Sequence, residues 1–439
     1  MQEKQEQIAI VWFRNNLRIE DNEPLLRATE KYKKIIAIFS FEPFWWKETV
    51  WGITKISPFR IQFLWQSLME LKENLKALNI PLLISKKSSL EIISDLNNRY
   101  QIEAIFTQKE WTSEEVKIQN EIQQKLPNIP FQEYYSQLIF QPEDLIFSID
   151  KTPDTFTAFR KKVEKYSKVQ NTLSKPQTAH YEFYNKVSNA LPTIELKDLS
   201  TAPFRVDKRT AFPFKGCENA AKERVQNYFY NTKNLLVYKE TRNGMVGSEY
   251  SSKFSPWLAN GCLSARWLYR EIDKFEKEVK SNASTYWLKF ELLWREFFKY
   301  MSLKHGNKLF YLHGYNENYY QHDIFFTESF ENWKSGNTGV EFVDANMHEL
   351  NATGFMSNRG RQIVASYWCN DLKQDWRAGA AYFEQQLIDY DVHSNWGNWA
   401  YIAGIGSDLR PDRYFNIDKQ AERYDGDRKF RDLWKNSKQ

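Results

Sequence analysis

Four hydroxyl side chains stand shortly before a proline in the segment GSEYSSKFSPWLANGCLS, residues 247–264. Pro256 can occupy the first turn of a helix, because that turn leaves its N–H groups without intrahelical partners. Hydroxyl and free N–H groups at a helix start suit a phosphate, although a single serine can simply cap the helix. The segment therefore has two interpretations, a phosphate-binding loop or a helix capped by Ser255. The four hydroxyls belong to Ser248, Ser251, Ser252 and Ser255.

A second set of residues that could take part in binding or chemistry lies on one face of a predicted helix, in ELLWREFF at 291–298. An intrahelical ion pair beside a core tryptophan would explain the pattern, and so would a face turned towards a ligand. The spacing alone does not choose between them. The residues spaced i, i+3, i+4 and i+7 are Glu291, Trp294, Arg295 and Phe298.

Two further segments, GFMSNRGR at 354–361 and DYDVHSNWGNWAY at 389–401, bring charges into an otherwise apolar helical region. Charges in such surroundings are costly unless they are paired. We therefore predict an ion pair between Arg361 and Asp389. Buried polar clusters of this kind often face a polar ligand.

Residues 1–135 must supply a scaffold of another kind, because short apolar runs alternate there with amphipathic helical patterns. This alternation predicts an α/β domain with a parallel, doubly wound sheet. No G-x-G-x-x-G or Walker-type glycine motif follows a strand, so dehydrogenase and P-loop NTPase interpretations lose their main support. The predicted strands are 8–13, 35–39, 82–84 and 104–107, and the predicted helices are 59–78, 91–99 and 113–126.

The remaining chain divides into two parts. Residues 136–200 carry scattered prolines and many polar residues, which predicts a long irregular inter-domain connector. From about 217 onward amphipathic helical patterns follow one another, separated by loops such as GYNEN and WKSGNTG. We expect residues 201–439 to form an all-helical domain.

Composition excludes several classes of protein. Hydrophobic residues make up 42% and charged residues 27%, ordinary globular proportions that exclude a disordered chain. Aromatic residues reach 16%, with 16 tryptophans, which suggests either a flat or photoactive ligand or simply an aromatic core. The net charge is +5, and the excess of basic residues lies within 150–240. That excess alone does not identify a nucleic-acid binder.

Three widely spaced cysteines, Cys217, Cys262 and Cys369, offer neither a disulfide framework nor a thiolate metal site, and they suggest a reducing compartment. The N-terminus lacks the features of a signal peptide. No apolar run reaches the 18 residues of a membrane span. We expect a cytoplasmic protein with no membrane association and no metal site.

Six blocks of the sequence occur in an order and spacing that resemble the photolyase/cryptochrome superfamily. Within it, GFMSNRGRQ and SNWGNWAYIAGIGSD are most similar to the DASH cryptochromes. The blocks are WFRNNLRIEDNEPL, YSSKFSPWLANGCLS, ELLWREFF, GNTGVEFVDANMHELNATGFMSNRGRQIVAS, DWRAGAAYFEQQLIDYDVHSNWGNWAY and DRYFNIDKQAERYD.

The resemblance implies an N-terminal antenna domain and a helical domain that binds FAD. Serine hydroxyls would clasp the diphosphate, and the Arg361 and Asp389 pair would pack against the isoalloxazine. An amide, Asn395, rather than an acid would lie beside flavin N5. The implied FAD-binding residues are Tyr238, Ser251, Ser252, Lys253, Phe254, Ser255, Glu291, Arg295, Phe298, Asn358, Arg361, Asp389, Asp391 and Asn395.

The family resemblance also implies an activity, the light-driven repair of cyclobutane pyrimidine dimers by an electron from reduced FAD. The similarity to DASH members implies a preference for single-stranded DNA. We also expect the protein to be a monomer. Glu291, Trp294 and Tyr401 match the residues that contact the dimer. The alternatives are a blue-light signalling flavoprotein without repair activity and, with less support, a cofactor-carrying structural protein.

Two accessory features of the family match less completely. Trp399 and Trp376 correspond to the first two members of a three-tryptophan electron relay, but Asp323 stands where the third should be. Glu114 is the nearest match to the acid that contacts the antenna chromophore, 5,10-methenyltetrahydrofolate. The surrounding SEE sequence is equally typical of a helix start.

Overall fold

The N-terminal region folds around five parallel strands. The computed structural model describes residues 7–192, 194–200, 207–315, 324–407 and 414–435. The strand order is β3-β2-β1-β4-β5, with the strand containing Val11 in the centre between partners Ala37 and Phe106. Helices cover both faces, which is why the central strands are continuously buried. The elements are β1 Ile8–Trp12, α1 Glu23–Lys31, β2 Lys34–Ser40, α2 Pro58–Lys76, β3 Leu82–Ser85, α3 Ser89–Tyr100, β4 Ile102–Gln108, α4 Ser113–Lys125 and β5 Phe131–Tyr134.

The predicted α/β domain with a parallel sheet is confirmed, and its four predicted strands are present. The sequence analysis missed β5. Its four residues, FQEY, are all only half-buried at the edge of the sheet, so they lack the apolar run that marked the other strands.

The region 136–200 is more ordered than predicted. It contains α5 Phe156–Tyr166, α6 Tyr181–Ser188 and the single turn α7 Leu196–Leu199. The prediction of an irregular connector was therefore wrong for these segments. Phe156, Phe159 and Val163 repeat at i, i+3 and i+7 and are buried. The prolines and polar residues around them obscured this helical period.

Residues from 218 onward are helical wherever the structure describes them, apart from the loops, as predicted. WKSGNTG was predicted as a loop, but its first three residues end α13, which stops before Gly336 at a positive φ of 68°. In GYNEN, only Gly314 and Tyr315 lie within the described residues. The helices are α8 Glu218–Gln226, α9 Tyr238–Thr241, α10 Ser255–Ala259, α11 Ala265–Glu278, α12 Ala283–His305, α13 Thr327–Ser335, α14 Glu341–Thr353, α15 Asn358–Ser366, α16 Trp376–Gln386, α17 Val392–Ile402, α18 Ile417–Asp425 and α19 Lys429–Trp434.

Buried polar contacts join the sheet domain to the helical domain. Asp21 accepts hydrogen bonds from Ser264 and Arg266, and Arg18 donates to the Gly261 carbonyl at 2.9 Å. A single apolar core runs across the same boundary. Within the described ranges, no helix combines the length and apolar character needed to cross a membrane.

Candidate functional site

One face of α12 forms a wall of a cavity of about 380 Å³ in the helical domain. Glu291, Trp294, Arg295 and Phe298 all line it, as their spacing predicted. The long helix begins at the Asn282 cap, whose side chain accepts from the backbone amides of Ser284 and Thr285. The polar residues on this face are therefore turned towards a ligand-sized space, which we call the helical-domain cavity.

The predicted ion pair forms the opposite wall. Arg361 on α15 donates to Asp389 Oδ2 at 2.8 Å, and the Asp389 side chain is only 1% exposed. Arg361 also donates to the Met356 carbonyl at 3.0 Å, which orients its guanidinium. The other oxygen of Asp389, Oδ1, is buried without a hydrogen-bond partner among the described residues. This wall therefore offers a fixed cation and a free acceptor.

A smaller cavity of about 100 Å³ adjoins the first, and the two share Asn358, Arg361, Asp389 and Asp391 in their walls. Asn395 and Trp399 line the smaller space. Asn395 Nδ2 donates to the Ala380 carbonyl at 3.0 Å, so the side chain is held in one orientation. The two cavities together make one larger space with polar groups at several points.

The hydroxyl loop is only partly placed as predicted. Ser252, Phe254 and Ser255 line the cavity, whereas Ser251 and Lys253 do not. The Lys253 side chain is buried over the Tyr250 ring, and burial lowers the pKa of its ammonium well below the ordinary value. The Lys253 side chain is therefore not part of the cavity lining, and its assignment to the diphosphate clasp stays a prediction. The helix-cap interpretation of Ser255 was wrong, since this residue opens α10 without a capping hydrogen bond.

Glu291 has a partner that the sequence analysis missed. Arg242 forms an ion pair with the Glu291 carboxylate at the edge of the helical-domain cavity. Burial raises the pKa of Glu291, and the Arg242 charge opposes that rise. Tyr238, which also lines the cavity, has a raised pKa because of burial. Arg242 lies in KETRNG, where no spacing or patterning distinguishes it.

Asp391 is held by a second missed residue, Lys299. The Lys299 ammonium is fully buried and lies 2.9 Å from Asp391 Oδ2 and 2.5 Å from Gln137 Oε1. Burial alone would raise the pKa of Asp391, but the Lys299 charge and neighbouring cations outweigh it, and the pKa is lowered. Lys299 is eight residues after Glu291 on the same helical face, so extending the period by one residue would have found it.

The aromatic wall of the cavity includes a residue from the connector. Trp294 stacks on Phe156 of α5, with ring centroids 3.8 Å apart and planes at 12°. Tyr401 meets Trp294 edge-on at 5.9 Å. The three residues predicted to contact a pyrimidine dimer, Glu291, Trp294 and Tyr401, therefore line one space.

The two tryptophans predicted to form an electron relay are buried, and Trp399 also lines the smaller cavity. Trp399 is 2% exposed and its ring packs against Gly379, where a Cβ would come within 2.2 Å of Trp399 Cη2. Trp376 is fully buried at the start of α16, one turn before Gly379. Asp323, the third expected relay position, lies outside the described residues.

Glu114 lines a different space, a cavity of about 420 Å³ between the sheet domain and the helical domain, which we call the interdomain cavity. Lys55 lies 2.6 Å from Glu114 and 3.2 Å from Glu384 of the helical domain. Burial raises the pKa of Glu114, and Lys55 opposes that rise. The helix-start interpretation also has support nearby, since the Thr112 hydroxyl donates to Glu115 in the first turn of α4. Both interpretations therefore stay open.

The residues of the helical-domain cavity fit FAD. The two adjoining cavities combine aromatic and apolar walls with the oriented Arg361 cation, several serine hydroxyls and the unpartnered Asp389 oxygen, the mixture that a dinucleotide needs. Among the described residues, no group of histidine, cysteine or carboxylate side chains could hold a metal ion.

Comparisons with known proteins give the same assignment. Residues 287–436 match the model of the FAD binding domain of DNA photolyase, and residues 9–179 match the DNA photolyase model. Cryptochrome DASH of Synechocystis is 45% identical over 95% of this chain and 85% of its own length, and that of Xenopus laevis is 41% identical over 97% and 82%.

Solved structures agree with the sequence relatives. The Synechocystis cryptochrome superposes with a TM-score of 0.84 at 43% identity, covering 98% of this chain and 88% of that one. The archaeal photolyase from Sulfolobus tokodaii, solved with two FAD molecules, gives a TM-score of 0.74 at 25% identity and covers 98% and 90%.

Proposed function

Because this chain belongs to the photolyase/cryptochrome family and is similar to cryptochromes DASH over nearly its whole length, we propose that it repairs cyclobutane pyrimidine dimers in single-stranded DNA under blue light. The reaction would use an electron supplied by reduced FAD. The cofactor brings this photochemistry, while the protein brings binding, orientation and electrostatics.

One observation supports repair above the other possibilities. The residues suited to FAD and the residues suited to the lesion, Glu291, Trp294 and Tyr401, line the same cavity. An electron donor and a pyrimidine dimer could therefore lie next to each other without any rearrangement of the chain. A protein that only signals would have no need of a buried carboxyl in this place.

Each wall of the cavity has a separate task in this proposal. Arg361, fixed by Asp389, places a positive charge beside the cofactor and offsets the negative charge of its reduced form. Asn395 adds no further negative charge, because its side chain is an amide. Both residues thereby favour the electron-donating state.

Glu291 acts on the other side, at the lesion. Arg242 holds the Glu291 carboxylate in an ion pair at the cavity edge, and its charge opposes the rise that burial causes in the pKa of this carboxyl. A dimer that displaced Arg242 would remove this opposition, and the protonated carboxyl could then donate a hydrogen bond to a pyrimidine carbonyl. This hydrogen bond would stabilise the extra electron on the dimer.

The aromatic wall supports recognition of a base outside a stack. Stacking of a base on an aromatic side chain contributes about 1–3 kcal/mol. Phe156 covers one face of Trp294, so only the other face of that indole is available to a base. Photolyases are an established example of base flipping, and a single strand costs less to open than a duplex.

We propose 5,10-methenyltetrahydrofolate as the occupant of the interdomain cavity. Glu114 and Glu384 could accept hydrogen bonds from a pterin amine and amide, and Lys55 balances their charges. The Sulfolobus relative contains two FAD molecules, and its description implies a novel light-harvesting cofactor, so a second FAD is the competing occupant. The proposal also includes a monomeric protein in the cytoplasm.

The main alternative is blue-light signalling without repair. Both functions need FAD, so FAD binding alone does not separate them. Changing Glu291 to Ala removes the carboxyl and leaves no side-chain hydrogen-bond donor in its place. We expect at least a tenfold loss of repair, about the effect of losing one charge-stabilising hydrogen bond, with FAD content unchanged.

The measurement is the loss of thymine dimers from single-stranded and duplex oligonucleotides under blue light, with the flavin chemically reduced beforehand. Glu331→Ala is the matched control, since Glu331 is exposed and pairs only with Lys334 on α13 in the contacts described. Repair by wild type and control, but not by Glu291→Ala, supports the proposal. No repair by wild-type protein that holds reduced FAD would favour signalling.

A further inference from the structure

A third tryptophan touches the buried end of the relay. The ring of Trp396 meets that of Trp376 edge-on, with centroids 5.6 Å apart. Trp396 is half-buried on α17, three residues before Trp399, and it lines the interdomain cavity. A fully buried indole is thus connected to one that reaches the edge of the protein interior.

A second branch also leaves Trp399, but it ends inside the protein. Trp399 meets Trp333 at 6.1 Å, and Trp333 meets Trp368 at 5.1 Å. Trp333 and Trp368 are both fully buried. Their indole N–H groups donate to the carbonyls of Val364 and Asp375, at 3.2 and 2.9 Å. An oxidised indole on this branch could reach neither a base nor an external reductant.

The same reasoning excludes Trp376 as an end point. The Trp376 side chain is fully buried. Its N–H donates to the Leu312 carbonyl at 3.0 Å, and a backbone carbonyl does not take up the proton that an oxidised indole must lose. Trp396 differs in both respects. Its N–H faces the Tyr390 hydroxyl at 3.3 Å, and Tyr390 lines the interdomain cavity beside it.

We infer that Trp396 is the terminal residue of the electron relay, so that in protein without the antenna chromophore electrons enter through the interdomain cavity rather than at position 323. This inference rests on the proposed function only in requiring bound FAD. Trp399 would give one electron to the light-excited, oxidised cofactor. Transfer from Trp376 to Trp399 is the step that the family resemblance implies, and transfer from Trp396 to Trp376 would follow their 5.6 Å ring contact and leave the oxidised indole at Trp396. The Trp396 indole loses its N–H proton to water, and an external thiol returns a hydrogen atom and becomes a thiyl radical.

The test compares three single variants with wild type, starting from oxidised FAD under blue light with a thiol donor. We expect Trp399→Phe and Trp396→Phe each to slow photoreduction about tenfold or more, whereas Trp333→Phe stays within about twofold. Trp333 is the matched control because it also touches Trp399, and the next tryptophan on its branch, Trp368, is fully buried. FAD content and unfolding temperature are measured for every variant.

A second measurement uses the unmodified protein. A nitroso spin trap is present during illumination, and peptide mass spectrometry locates the adduct. We expect the adduct on Trp396. An adduct within 316–323, or wild-type photoreduction by Trp396→Phe, would overturn the inference.

Repair from chemically reduced FAD is measured in the same preparations and does not use the relay. If wild type fails to repair dimers but shows the trap adduct on Trp396, the proposed function fails and this inference stands. If wild type repairs dimers and FAD in Trp396→Phe is photoreduced at the wild-type rate, the proposed function stands and this inference fails.

Discussion

The helical-domain cavity and the interdomain cavity are of similar size but are built in different ways. All residues of the first come from 238–401, within one domain. The second takes Lys55 and Glu114 from the sheet domain and Glu384 and Trp396 from the helical domain. A site built from one domain is formed as that domain folds, whereas a site between two domains depends on how they meet.

The two cavities also differ in how their carboxylates are paired with cations. In the helical-domain cavity each carboxylate has its own cation: Arg361 pairs with Asp389, and Lys299 pairs with Asp391. In the interdomain cavity, which Arg60 also lines, one cation, Lys55, pairs with two carboxylates, Glu114 and Glu384, one from each domain. We therefore expect substitutions in the first cavity to affect cofactor binding strongly and substitutions in the second to have smaller, separable effects.

The largest expected effect is on FAD binding. Changing Arg361 to Ala leaves the buried Asp389 carboxylate without its cation, and removing one partner of such a pair costs about 2–3 kcal/mol when that partner is partly exposed. This corresponds to a roughly 30- to 100-fold weaker affinity. The measurement is titration of FAD into apoprotein. Arg428→Ala, which removes an exposed pair with Glu341, should bind FAD normally.

The next effect concerns stability and pH. Glu349 is buried on α14 close to the Arg361 wall, and burial raises the pKa of its carboxyl to about 8, with Lys253 and Arg361 opposing the rise. A raised acid pKa stabilises the fold below the unfolded pKa of about 4.3, and this contribution is lost as pH rises towards 8.

We therefore expect Glu349→Gln, which cannot ionise, to gain stability relative to wild type by on the order of 2 kcal/mol between about pH 6 and pH 8. Chemical unfolding at several pH values measures the difference. Glu341→Gln, an exposed position on the same helix, should show no such gain. A pH-independent difference for Glu349→Gln would show that this carboxyl does not titrate in the folded protein.

The smallest expected effect is in the interdomain cavity. Lys55→Met leaves Glu384 unbalanced at the domain boundary, and we expect a loss of about 1 kcal/mol in the free energy of unfolding together with weaker folate binding. FAD content should not change. Lys76→Met, at an exposed pair with Glu73, is the control. Loss of FAD from Lys55→Met would contradict the independence of the two cavities.

The difference between the cavities also explains what could be predicted from sequence. The α12 face and the Arg361 and Asp389 pair follow from local periodicity and from the cost of unpaired buried charge. Lys299 was within reach of the same argument, one residue further along the helix. Arg242 was not, because its role depends on the position of a short segment before α10, which no local pattern describes.

The fold prediction also succeeded where a local apolar pattern exists and failed where it does not. Long apolar runs identified four strands, and β5 was missed because an edge strand does not need such a run. The helix α5 was missed since its apolar period lies between prolines, although Phe156 completes the aromatic wall against Trp294. The interdomain cavity has no sequence motif, because its lining residues come from distant segments and meet only when the domains are packed together.

Gly379 limits which side chains can stand beside Trp399. A methyl group at this position would overlap the Trp399 ring, which also packs against Phe383 and Trp333. The backbone of α16 lies in a close-packed core and cannot retreat by the distance required. Mutational tolerance at position 379 is therefore set by the space that a neighbouring indole occupies rather than by helix propensity, which would favour alanine. A random library selected only for folding should therefore retain glycine here.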